Sequence, residues 1–389
     1  MEQTDNSSGI KVSRKKTDVK SKIRVTLYIL LLVSVSVAAS LLGAAYAYKD
    51  YLLGLPEYVP VNVEATMVNE EGSIVNISEV IASETTIIAV PEFEHIHNIL
   101  LIGVDSRSKS YSTSGTGSRA DVIMILTVNE KDNSIKLLSV ARDSYAYIPG
   151  YTDPQKINGA MTYGGPELLM ATIENTLRIH IEEYAFVNFY HMEKVIDAVG
   201  GVYVHISEEE RTEPGGLNSI LTDYNIEHEL DLMTGLIEQS GTQRLNGRQA
   251  VAYSRIRYVG NGDFGRSKRQ VEVLQSLLSQ FSKLSVKGQA STVEKILPHV
   301  MTNVTQEKIE FYVFNFLANL ESPEFIYEKL PIEGYYNSGM YSDFMKGQWS
   351  IRPDWNSMIP IVQEFLFGET YPFDPVATIP KAPDDKANQ

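Results

Sequence analysis

From residue 98 to residue 140 the chain alternates mainly apolar runs with polar breaks. The runs cover 99–104, 122–128 and 135–140. Apolar runs of this length, bounded by turn residues, read as buried strands. The polar segment 129–133 joins the second and third into a predicted hairpin, and 106–118, rich in Ser, Gly and Thr, is a loop. Further on the period lengthens. Leu169, Ile173 and Leu177 recur at helical spacing behind Gly164-Gly165-Pro166, and proline suits a first helical turn. Residues 184–189 read as a strand, 192–199 as a helix stopped by Gly200-Gly201, and 202–206 as another strand. Residues 207–240 are polar and irregular and read as an insertion. A long helix is expected from Asp263, as its N-cap, to about Lys283, with Leu274, Leu277 and Phe281 on its apolar face. Residues 284–368 continue the mixture with weaker periodicity. Strands mixed with helices predict an α/β fold: a mixed central sheet flanked by helices, an α-β-α sandwich.

The ends differ from this core. Residues 25–47 hold 23 positions without a charge, enough to cross a hydrocarbon layer of roughly 30 Å. A cleaved signal peptide is the competing reading, but its apolar region is usually only about 7–15 residues, so an uncleaved anchor is expected. The preceding 24 residues carry 7 Lys/Arg against 3 Asp/Glu, which predicts a cytoplasmic N-terminus and everything after Tyr48 outside the membrane. That basic tail is too short for a nucleic-acid-binding domain and suits anionic lipid headgroups. Residues 48–96, with prolines at 56, 60 and 91, read as an extracellular stalk, and 369–389 as a disordered tail. The globular domain is then 97–368.

Composition narrows the chemistry. The chain has no cysteine, which excludes disulfides, thiolate metal sites and cysteine nucleophiles. Net charge is −15, hence about −19 beyond the tail. Against that background Arg255, Arg257, Arg266 and Arg269 fall within fifteen residues. Guanidinium forks suit bidentate capture of phosphate oxygens, so the cluster points to a discrete anion site.

Two constellations give that site a shape. Ser118-Arg119-Ala120-Asp121 precedes the first hairpin strand and Arg142-Asp143 follows the second. From the turn centre near Lys131, Asp121 lies 10 residues back and Arg142 lies 11 forward. An antiparallel hairpin brings both Arg/Asp pairs to one end of the sheet; the competing reading is two surface ion pairs of little worth. On the long helix, extending the apolar face backward lands on Gln270 and Arg266. A cation at the N-terminal end of a buried face conflicts with the helix dipole unless an anion sits there; the competing readings are that Asp263 only caps the helix and that Arg266 only pairs with a structural carboxylate. In a strand, Arg255 and Arg257 would project from one face, whereas Arg269 lies off the helix face and reads as a solvated charge. Weaker signals fall away. Gly115-Thr116-Gly117 precedes a strand rather than opening a helix, which rules out a dinucleotide loop. Ser106-Arg107-Ser108-Lys109 lacks the companion motifs of penicillin-binding enzymes. His95 and His97 lack an evident third metal ligand.

Taken in order, "SRADVIMILTVN", "LLSVARDSY", "KINGAMTYGGPELLMATIENTL", "VNFYHMEKVIDAVGGVYV", "LNGRQAVAYSRIRY" and "DFGRSKRQ" resemble the LytR-CpsA-Psr family of cell-wall glycopolymer ligases. The similarity covers about 97–285, with a looser likeness to about 368. The resemblance implies a single-pass membrane protein with its catalytic domain outside a Gram-positive type of cell. It implies transfer of a glycopolymer (teichoic acid, capsule or related polysaccharide) from a polyprenyl-pyrophosphate carrier to peptidoglycan, with a hydrophobic tunnel for the lipid and Mg²⁺ at the pyrophosphate. By the same resemblance Asp105 and Asp121 match metal-linked positions. Arg119, Arg142, Arg255, Arg257 and Arg266 match pyrophosphate-binding arginines, with Gln270 beside them, and Asp263 an acidic position near the phosphates. Asp121 is assigned either metal binding or proton acceptance from the sugar hydroxyl, and Asp143 no clear role. The 106–118 loop and the 207–235 insertion depart from the family pattern. A non-catalytic lipid-phosphate-binding regulator of wall biogenesis and a pyrophosphatase acting on the same carrier stay open as alternatives.

Overall fold

The three predicted strand runs lie side by side in a six-stranded sheet. The structure is a computed structural model describing residues 66–69, 73–84, 93–104, 118–131, 134–260, 262–305, 308, 325–340 and 348–379. In chain order, a hairpin of β1 (Thr66–Val68) and β2 (Ile74–Asn76) leads into helix α1 (Ile77–Glu84). Then come β3 (Ile96–Val104), β4 (Ala120–Asn129) and β5 (Ser134–Val140). The short pair β6 (Tyr145–Ala146) and β7 (Gln155–Lys156) precedes α2 (Gly159–Leu177), β8 (Glu183–Asn188) and α3 (Phe189–Val199). They are followed by β9 (Val202–Ile206), α4 (Glu208–Thr212), α5 (Leu217–Glu227), β10 (Gly241–Leu245), α6 (Gly247–Ser254), α7 (Gly262–Ser282) and α8 (Val286–Ile296). Strands β11 (Met301–Thr302), β12 (Phe325–Leu330), β13 (Tyr336–Met340) and β14 (Trp349–Pro353) and helix α9 (Trp355–Phe367) come last.

The sheet order is β11-β8-β3-β4-β5-β12. Pairing is antiparallel for β3–β4 and β4–β5 and parallel for β3–β8 and β5–β12, so the sheet is mixed, as predicted. Strand alternation sends successive side chains to opposite faces. Leu100, Ile102, Ile123, Ile125 and Leu138 join one core with Leu169 and Ile173 of α2 and Met358 and Val362 of α9. On the other face Leu101, Val122, Met124 and Leu137 meet Val271 and Leu274 of α7. Both faces are therefore covered by helices, which is the expected α-β-α arrangement.

Helix α2 bends at the predicted boundary. Gly164 and Gly165 leave helical geometry, Gly165 at φ 71°, and Pro166 restarts the helix. A positive φ of this kind favours glycine.

Three segments depart from expectation. Met67 and Ile77, in the supposed stalk, are 1% and 2% exposed within the main core, so the folded unit begins well before residue 97. The supposedly irregular 207–240 region holds α4 and α5, and Leu217, Leu221 and Ile237 are buried against α3, α6 and α7. Ser207 and Glu210 form a reciprocal capping box that starts α4, a signal present in the sequence. In the supposed C-terminal tail, the Asn356 amide donates to the Val376 carbonyl at 2.9 Å and accepts from the Val376 N–H at 2.8 Å. Arg178 donates to the Asp374 carbonyl, and Ile379 is buried in the core. These contacts order 371–379, while 380–389 lies outside the described residues. The predicted basic tail (1–24) and membrane span (25–47) also lie outside; among the described residues no helix is long and apolar enough to cross a membrane.

Candidate active site

Strands β4 and β5 pair with Met124 opposite Ser139 and Asn129 opposite Ser134. Continuing that register three residues beyond Met124 puts Asp121 across from Arg142, and these two side chains form an ion pair. A bulge on the other side of β4 refines the placement. Gly103 pairs with Val122 but Val104 pairs with Ala120, leaving Asp121 as the extra residue. Such bulges re-aim a side chain out of the regular ladder. Gly103 fits this close approach because a Cβ there would stand 2.9 Å from the Val122 Cβ.

Asp143, left without a role by the sequence, buttresses the pair. It is 7% exposed, accepts from Arg142 Nε at 3.2 Å and from Lys156 Nζ at 2.8 Å. Burial pushes its carboxyl up, but the Lys156 hydrogen bond and the charges of Arg142 and Lys156 outweigh this and hold it below the usual carboxylate value. No sequence pattern marked Lys156, whose strand β7 folds back beside β6.

Helix α7 closes the cleft. It starts at Gly262, one residue before the predicted cap, and ends at Ser282. Arg266 is 7% exposed and lines the same cleft as Asp121, Arg142, Asp143, Ser267 and Gln270. The inward phasing of Arg266 and Gln270 thus follows the helix face read from the sequence. Strand β14 adds Trp349 and Ile351, neither of which the sequence marked.

Arg119, Arg255 and Arg257 are elsewhere. Arg119 is exposed at the entrance to β4 and does not line the cleft. Arg255 and Arg257 are not on a strand. A capping box of Asn246 and Gln249 starts helix α6, and the Arg255 N–H donates to the Ala252 carbonyl at its end. The Arg255 guanidinium lies over the Phe189 ring, 4.8 Å from its centroid, in a separate pocket with Arg248 and Tyr224. Arg257 is exposed in the following turn. Asp105 and the Asp263 side chain lie outside what the structure describes.

Arg269 corrects the expectation of a solvated charge. It is 5% exposed, and its guanidinium donates to Glu210 at 2.7 Å and to the carbonyls of Ile256 and Val259 at 3.0 and 2.8 Å. A fixed charge is buried here because three acceptors from distant segments converge on it. Arg269 clamps the 255–259 turn to α7.

Beyond Gln270 the cleft gives way to an apolar cavity of about 210 Å³. Its walls are Leu101, Val122, Met124, Ala185 and Val187 from the sheet, Phe189, Met192 and Ile196 from α3, Val251 from α6, and Val273, Leu274 and Leu277 from α7. Gln270 lines both spaces.

For the implied Mg²⁺, the cleft offers the Asp121 carboxylate, a hard oxygen donor. One or two carboxylates completed by phosphate oxygens and water suffice for this ion. The donor type fits. Among the described residues no cluster of three or more His, Asp or Glu could hold a metal unaided. His97 instead bonds Glu130 at 2.6 Å.

Comparison with known proteins agrees with this architecture. A polyisoprenyl-teichoic acid–peptidoglycan teichoic acid transferase TagU of Bacillus anthracis is 32% identical over 240 residues, 61% of this chain and 70% of the relative. The regulatory protein MsrR of Staphylococcus aureus is 34% identical over 213 residues, 54% of this chain and 58% of the relative. The crystal structure of B. subtilis TagV superposes with a TM-score of 0.55 at 25% identity, covering 71% of this chain and 98% of that one. The LytR_cpsA_psr family description matches residues 60–348, and the chain belongs to that family.

Proposed function

We propose that this chain is a phosphotransferase that moves a glycopolymer from a polyprenyl-pyrophosphate carrier to peptidoglycan. The observation that carries this reading is Gln270, which lines on one side a polar cleft holding the guanidiniums of Arg142 and Arg266 and on the other an apolar cavity. A ligand with an anionic head joined to a hydrocarbon tail matches that junction. Residues 25–47 would anchor the chain in the membrane with the folded unit outside, where lipid carrier and wall meet.

Arg142 and Arg266 neutralise the pyrophosphate, and the Arg142 guanidinium is held by Asp121 and Asp143 before substrate arrives, so it needs little reorganisation as charge develops. The acceptor hydroxyl of peptidoglycan attacks the phosphorus that bears the glycopolymer. The P–O bond to the bridging oxygen breaks, the lipid phosphate leaves, and a phosphodiester remains. Asp121 accepts the hydroxyl proton or holds Mg²⁺; when bound, that ion supplies further charge neutralisation. Asp143 and Lys156 orient Arg142. The S. aureus relative is named a regulatory protein, which supports a second reading as a regulator; such a regulator would bind the lipid phosphate without turnover.

Calorimetry with farnesyl pyrophosphate, inorganic pyrophosphate and farnesol tests the junction. Burying several methylenes at about 0.8 kcal/mol each predicts that the joined ligand binds about 100-fold or more tighter than pyrophosphate alone. Equal affinities for farnesyl and inorganic pyrophosphate would remove the basis of the proposal.

A further inference from the structure

Trp349 stands at the cleft but not at the cavity. It is 36% exposed, so part of its indole ring is open to whatever occupies the cleft. Its place is fixed. It pairs with Met340 across the β13–β14 hairpin. Two residues further on, the Ile351 N–H donates to the Asp143 carbonyl at 3.0 Å, and Ile351 bridges Ser144. The hairpin is thereby tied to the residue adjoining Arg142. The family match ends at residue 348, so Trp349 lies just beyond it.

Resting on the pyrophosphate reading above, we propose that Trp349 is a stacking platform for a saccharide, the sugar linked to the pyrophosphate in the cleft. If the lipid runs past Gln270 into the cavity, the other end of the substrate lies away from that wall. The ring's negative face attracts the polarised C–H bonds on the apolar face of a pyranose. Trp349 is then a specificity-determining residue: it selects sugar-bearing carriers and plays no part in holding the lipid.

The chain's two tryptophans make this readable by fluorescence, because Trp355 is 3% exposed with its indole N–H donated to the Tyr145 carbonyl at 2.8 Å. The probes are farnesyl pyrophosphate and farnesyl-pyrophosphoryl-N-acetylglucosamine, titrated into the full-length chain. The sugar-bearing probe is expected to shift an emission component that Trp349→Phe lacks. Trp349→Ala should weaken that probe roughly tenfold, the loss of one aromatic partner, and weaken the sugar-free probe far less. Trp349→Phe should restore most of the affinity. Equal weakening of both probes by Trp349→Ala, or no weakening of either, would overturn the platform. If the wild-type chain binds neither probe, the pyrophosphate reading fails and the platform falls with it.

Discussion

At the scale of single residues, the site rests on charges that hold one another in place. Asp121 meets Arg142, Arg142 meets Asp143, and Asp143 meets Lys156. The Asp143 carboxyl is held below its ordinary value, so it binds a proton less readily folded than unfolded. Its contribution to stability is therefore present above the unfolded-state value and lost as pH falls through the folded one. Asp143→Asn should cost about 1–3 kcal/mol at neutral pH. Denaturant melts across the acid range should show the gap between wild type and variant closing; a gap that widens toward acid would contradict the linkage. Asp121→Asn separates the two roles of that carboxylate. A lost general base predicts about 10²–10⁴-fold slower transfer at every Mg²⁺ concentration, whereas a lost metal ligand predicts partial recovery as Mg²⁺ is raised. Unchanged turnover at all Mg²⁺ concentrations would deny Asp121 either role.

Elements show which of these features the sequence could express. The β4–β5 hairpin was legible as two apolar runs about a polar turn, and counting from that turn carried Asp121 to Arg142, while the helical period of the α7 face turned Arg266 inward. The bulge at Asp121 was not legible, since one extra residue depends on the partner strand rather than on local composition. The alternation of Arg255 and Arg257 misled because a capping box had already committed the preceding residues to helix. Arg269 misled for a different reason: its acceptors come from Glu210, Ile256 and Val259, which only the folded chain assembles. Breaking that clamp with Arg269→Ala leaves Glu210 without it in a half-buried setting and should destabilise by about 3 kcal/mol. Hydrogen exchange should then speed up in 255–260 before it does in β3 and β4. Unchanged exchange in the 255–260 turn would show that the clamp is not what holds it.

Over the whole molecule, the mixed sheet divides the labour between its two sides. Helices α2 and α9 seal one face into a continuous core. The opposite face keeps room between the sheet, α3, α6 and α7 for the apolar cavity, and the cleft lies where β4, β5, α7 and β14 meet. Filling the cavity should therefore separate lipid binding from phosphate binding. Ala185→Phe, on the sheet wall, should weaken farnesyl pyrophosphate by about tenfold or more while inorganic pyrophosphate is unaffected. Calorimetry on both ligands checks it, and a parallel loss of both would argue against separate head and tail compartments. The central claim is transfer itself. Its most direct test incubates the full-length chain with a radiolabelled polyprenyl-pyrophosphate-linked saccharide, peptidoglycan and Mg²⁺, and follows label into the wall polymer. The account predicts a phosphodiester adduct from the wild-type chain and none from an Arg266→Ala variant that melts like wild type. Full transfer by that variant, or release of free saccharide phosphate with no adduct from the wild type, would contradict it.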